Sequence, residues 1–244
     1  MTTQLRRSIV LVAVLTLLVV ILLAARPSRP AEARAKPIRL AAATTIVEVN
    51  ATAGDAGLQV FFDGDPWKSM RITGPDGRSR ELVEIETEGR LQQQGLTELF
   101  SESSEPPFKE LSLAEFKRRF PEGRYHFEGR TIEGQRLIGS SFLSHDIPNG
   151  PGIIFPAHGD TVDKYVVARW APGMQPPGVE IVAYRAIFER EDPVRVLSVD
   201  LPASVTRVTV PPQFLKPGIE YLFELQAIEA SGNITFSEAY FVVK

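Results

Sequence analysis

Three histidines, His126, His145 and His158, with Asp146 and Asp160 close behind the last two, are where this chain could place a base or a metal ligand. Zinc sites hold two ligands at a short fixed spacing on one element, and neither H-x-H nor H-x-x-x-H occurs. The histidines therefore read as one strand residue and two residues at a strand end or in a loop. A second cluster, Asp63-Gly64-Asp65, offers hard oxygens around a glycine, as calcium binding needs, but Pro66 follows at once and no glutamate stands at the EF-hand distance. Asp-Gly pairs also form turns in which the carboxylate bonds a backbone N–H. Trp67, just after Asp65-Pro66, either packs in a core or presents an aromatic platform to a sugar or peptide. Asp63, Asp65 and Trp67 are thus the candidate binding residues. Glycoside hydrolysis needs two carboxylates across a cleft, and nothing among the 30 acidic residues singles out a pair. No catalytic residue, metal site or cofactor is expected.

The elements that would position these residues lie behind an apolar segment. From Ser8 to Ala25 the chain reads SIVLVAVLTLLVVILLAA, eighteen residues without a charge, after Arg6 and Arg7. That length falls between a signal-peptide core of about 7 to 15 residues and a spanning helix of about 17 to 25. Residues 1–25 are therefore a signal anchor or a signal peptide. The Ala33-Arg34-Ala35 cleavage pattern stands ten residues beyond the run, which favours the uncleaved anchor. Residues 26–38, with three prolines among alanines and charges, form a linker. Its arginines compete with Arg6 and Arg7 under the positive-inside rule. The overall layout is nonetheless that of an exported protein, anchored and facing the extracytoplasmic side, or secreted or periplasmic after cleavage. Beyond residue 35 the chain holds 22 basic against 29 acidic residues, so it has no basic stripe for nucleic acid. It has no cysteine, and hence neither disulfide nor thiolate site.

With 244 residues, 43% of them hydrophobic, two cores are expected. Over 39–150, alternating runs near 46–50, 58–62 and 70–73 read as strands, and Gly74-Pro75-Asp76-Gly77 as the turn leading to a strand over 80–86. A helix over 112–120 starts at a Ser112/Glu115 capping box, buries Leu113, Phe116 and Phe120, and stops at Pro121. Residues 101–107 read as a loop. A second hairpin joins 125–129 to 136–140. Asn149-Gly150-Pro151 with Pro156 marks a junction, followed by strands near 162–170, 179–189, 195–201, 206–210, 221–227 and 238–243. Asn50-Ala51-Thr52 and Asn233-Ile234-Thr235 match the N-glycosylation tripeptide, which matters only in a eukaryotic secretory pathway.

Trp170, the run Ile181-Val182-Ala183-Tyr184, Val208-Thr209-Val210, and Leu215-Lys216-Pro217-Gly218-Ile219-Glu220-Tyr221 together resemble the fibronectin type III pattern over residues 156–244. The resemblance implies a β-sandwich with Trp170, Tyr184, Leu215 and Tyr221 in its core, and a Tyr221 hydroxyl bonded to nearby backbone. It also resembles bacterial envelope proteins that carry such a domain behind a hydrophobic segment, and it implies no activity. The expected architecture is all-β, with two immunoglobulin-like antiparallel sandwiches in tandem, the first with a short inserted helix, behind an N-terminal hydrophobic helix. The expected role is non-enzymatic: a membrane-anchored or exported protein that binds protein or surface-glycan partners. The alternatives are an accessory or carbohydrate-binding module of an envelope hydrolase and a calcium-stabilised spacer.

Overall fold

Strands carry nearly all of the structure, and burial along them follows the two-residue alternation of the sequence. The computed structural model describes residues 36–75 and 81–244. The apolar run over 8–25, the linker up to residue 35 and the Asp76-Gly77 end of the first turn lie outside the described residues. Among those described, no helix is long and apolar enough to cross a membrane. Residues Pro37–Lys244 form one compact unit that contains two hydrophobic cores.

The first core is built by β1 (Ile38–Arg39), β2 (Ala42–Asn50), β3 (Asp55–Thr73), β4 (Glu81–Glu86), β5 (Leu96–Glu102), β6 (Gly123–Thr131) and β7 (Arg136–Leu143). The two strands read near 58–62 and 70–73 are one strand of nineteen residues, β3. Its first half runs between β2 and β5, and its second half between β4 and β6. The change of partners falls around Trp67: the β5 ladder shifts register between Asp63 and Trp67, and the β6 ladder between Trp67 and Ser69. Asp63-Gly64-Asp65-Pro66 therefore bends a strand instead of closing a turn. Gly64 packs closely there, since a Cβ would come within 2.7 Å of the tip of the Leu40 side chain, which would have to move aside.

Helix Leu113–Arg119 forms where the capping box places it: the Ser112 hydroxyl accepts from Glu115 N at 3.3 Å, and Phe116 is buried in the first core. Both hairpins are present as antiparallel pairs, β3 with β4 and β6 with β7. Two elements carry no clear sequence signal. The short helix Gly89–Gln94 buries no residue and has no side-chain cap, and β5 occupies the start of the segment read as a loop.

The second core lies between two sheets. One holds β8 (Gly152–Phe155), β10 (Val167–Ala171) and β13 (Arg207–Thr209). The other holds β11 (Ile181–Arg190), β12 (Arg195–Pro202), β14 (Glu220–Glu229) and β15 (Ile234–Val243), in the order β15-β14-β11-β12. The strand read over 162–170 is split: β9 (Asp160–Val162) pairs in parallel with the end of β15, and the chain then crosses to β10 in the opposite sheet. Trp170 meets Tyr184 edge to face at 5.7 Å, and Phe188 stacks on Phe223 at 4.7 Å. Tyr221 makes the corner: its hydroxyl accepts from Lys216 N at 2.9 Å and donates to Phe214 O at 3.1 Å. Leu215 is buried beside it.

A parallel pairing of β15 with β2 fuses the four-stranded sheet to the first half, matching Ile234 with Glu48, Thr235 with Val49 and Phe236 with Asn50. Asn233 pins this seam. It is 1% exposed, donates from Nδ2 to the carbonyls of Ser144 and Asp146 at 3.0 Å each, and accepts from Val47 N at 2.8 Å. Asn50 donates to Glu238 at 3.0 Å and accepts from Thr52 N and Ala53 N, while Thr52 Oγ1 accepts from Glu238 N. Both asparagines of the glycosylation-like tripeptides are thus buried hydrogen-bonding residues of the seam, with no amide left for a glycan.

Candidate functional site

Trp67 is wholly buried, 5.2 Å from the Phe62 ring, so it is a core residue and forms no surface platform. The physical reason is the bend in β3, which turns the Trp67 side chain inward immediately after the exposed Asp65 and Pro66. Asp63 is partly buried on the same stretch, and neither it nor Asp65 joins a group of converging carboxylates. The histidines are dispersed. His126 is exposed on β6, His145 Nε2 lies 2.9 Å from Phe120 O, and His158 packs edge-on against Tyr240.

The carboxylates that do converge lie on the seam. Glu48, Glu102 and Glu105 bring ligand oxygens within 4.8 Å of one another. Strand register explains how. Glu48 on β2 stands opposite Gly57 on β3, Gln59 two residues further stands opposite Glu102 on β5, and Glu105 folds back over Gly57, where a Cβ would meet its Oε1 at 2.7 Å. Across the seam, Glu224 on β14 faces Glu238 on β15, while on the near side Asp55 on β3 faces Asn50 on β2.

This strip is hydrogen-bonded, and the Arg185 charge reaches Glu224 without forming an ion pair. Gln59 donates to Glu102 at 2.9 Å, Asn50 to Glu238 at 3.0 Å and Gln226 to Glu224 at 2.7 Å, and each donor is a neutral amide. No ion pair among the described residues reaches Glu48, Glu102, Glu105, Glu224 or Glu238. Burial, and then the charges of Glu102 and Glu224, push the Glu48 carboxyl up to about 8, and its hydrogen bond with Glu102 adds to the rise. Burial also raises Glu105, Glu224 and Asp55, with their acidic neighbours adding to it.

Chemically, Glu48 and Glu102 are suited to sharing a proton. A calcium ion takes about 6–8 oxygens, and three carboxylates reach only the lower end of that range even if every one is bidentate. The sequence could not reveal this strip, because its members come from five separate strands and a loop.

Comparison with known proteins adds little to this geometry. No family pattern matches the chain, and no curated protein matches it. Among solved structures, the chain is similar to the fibronectin(III)-like modules of Clostridium thermocellum CbhA, with 7% identity and a TM-score of 0.34, covering 84% of this chain and 93% of that one. A two-domain fibronectin type III segment of chicken tenascin has 12% identity and a TM-score of 0.30, covering 81% and 98%. The FN1–FN3 domains of chicken CNTN1 have 9% identity and a TM-score of 0.34, covering 85% and 65%. Superpositions this loose carry no argument. The fibronectin type III-like assignment of the second half rests on its three-plus-four strand order and its Tyr221 corner.

Proposed function

We propose that this chain is a non-enzymatic interaction or structural protein of the cell envelope, attached through residues 8–25 or released after their removal, with protein or surface-glycan partners. Residues 39–150 and 156–244 are its two β-sandwich modules, the second of them fibronectin type III-like. The observation that carries this reading is the β2–β15 seam, which joins two cores through one sheet and carries a strip of carboxyl groups with no ion pair among the described residues. Such a surface suits recognition, since charge on a fixed scaffold steers association and selects partners. The carbohydrate-binding or hydrolase alternative loses its aromatic platform with the burial of Trp67. The experiment is a turnover assay of the full chain, in non-ionic detergent, against glycoside, ester and peptide substrates. No turnover is expected. Turnover that disappears with Glu102→Gln would overturn the reading.

A further inference from the structure

A groove of about 360 Å³ lies on the outer face of the four-stranded sheet, at the end away from the seam. Its floor is apolar, made of Leu222 and the Tyr240 ring, which is 40% exposed. Four carboxylates rim it: Glu189, Glu191, Asp192 and Glu220. None of them takes part in an ion pair among the described residues. Burial, then the charges of Glu238, Glu191, Glu220 and Glu189, hold the Tyr240 hydroxyl above its ordinary value, so the rim field reaches the floor. Arg190 also lines the groove, is only 6% exposed, and its Nε has no hydrogen-bond partner.

Resting on the reading of this chain as a binding module, we infer that the groove seats a lysine or arginine side chain from a basic, extended segment of a partner protein. The shape and charge specify that occupant. A lysine stem covers Leu222 while its ammonium lies among the rim carboxylates and against the Tyr240 face, so hydrophobic, coulombic and cation–π contacts coincide. A bare metal ion fits poorly, because the carboxylates that converge closely are at the seam and not around this rim. Anionic lipid and nucleic acid are repelled by the rim. Glu238 and Glu224 continue the acidic track toward the seam and offer stations for further basic residues of the same segment.

The test measures binding of an acetylated, amidated lysine–glycine repeat peptide to the full chain in non-ionic detergent at low salt. The combined variant Glu189→Gln, Glu191→Gln and Glu220→Gln should weaken binding by about tenfold or more. Tyr240→Ala should weaken it less, and a norleucine version of the peptide should not bind. An equal loss of charge elsewhere, by Glu88→Gln, Glu110→Gln and Glu133→Gln, should leave affinity unchanged. Equal weakening by both triple variants would show diffuse attraction and overturn the groove, as would absence of binding to the unaltered protein. Mass spectrometry of the recovered peptide separates the two readings. Cleaved peptide with groove-dependent affinity would overturn the non-catalytic function while supporting the groove.

Discussion

Two stretches of the same large sheet treat charge in opposite ways. Around the second half of β3, acids and bases alternate and neutralise one another: Arg71 meets Glu81 at 3.2 Å and Glu84 at 2.6 Å, and Arg136 meets Glu128 at 2.8 Å. On the seam, Glu102, Glu224 and Glu238 accept from neutral amides, and these three with Glu48 and Glu105 form no ion pair among the described residues, although the Arg185 charge reaches Glu224. A solvated face is made soluble by the first arrangement at little cost in stability. The second arrangement costs stability through mutual repulsion and partial burial.

The most forceful way to break this contrast is to open the seam. Asn233→Ala leaves Val47 N and the carbonyls of Ser144 and Asp146 without their partner, and should cost about 2–4 kcal/mol. Denaturant unfolding measures the loss, and hydrogen exchange at Val47 should accelerate with it. A loss below about 1 kcal/mol would mean that the strip does not depend on this residue.

A second, smaller effect sharpens the contrast by pH. The Glu48 pKa is raised in the folded state, so the stability linked to its proton is fully present below its unfolded value of 4.5 and is lost as pH rises through about 8. Glu48→Gln removes that dependence. Its melting temperature should match the unaltered protein near pH 4 and exceed it increasingly toward pH 8. A difference that is flat with pH would show that Glu48 ionises normally.

The smallest effect belongs to the neutralised stretch. Arg136→Ala breaks an exposed pair and should change stability by less than about 1 kcal/mol, with the change shrinking in salt. A larger, salt-insensitive loss would make the two stretches alike.

The fold was legible wherever a local signal and its burial agree. Ser112 with Glu115 sets a helix start by itself, and the Leu215 to Tyr221 spacing sets the corner because all of its contacts lie within a few residues. The nineteen-residue β3 was not legible, since Asp63-Gly64-Asp65-Pro66 has the composition of a turn and only the pairing of β3 with distant strands on either side keeps it extended. β5 was hidden for a different reason: Leu99 and Phe100 face opposite sides, and Phe100 is exposed, so no clean alternation marks the strand. The acidic strip was furthest from view. Glu48 and Glu224 approach each other only through the parallel pairing of two strands distant in the chain, and no periodicity records such a pairing.

That pairing also sets an order of events during synthesis. Val47 and Asn233, which meet across the seam, are 186 residues apart, and the chain is made from its N-terminal end at about 5–20 residues per second. For many seconds β2 therefore stands as an unpaired strand edge, able to pair with another chain, and is capped only when β15 emerges. Glu48, set on β2 opposite Ile234, places a polar side chain on that edge, the kind of residue that discourages pairing with another chain.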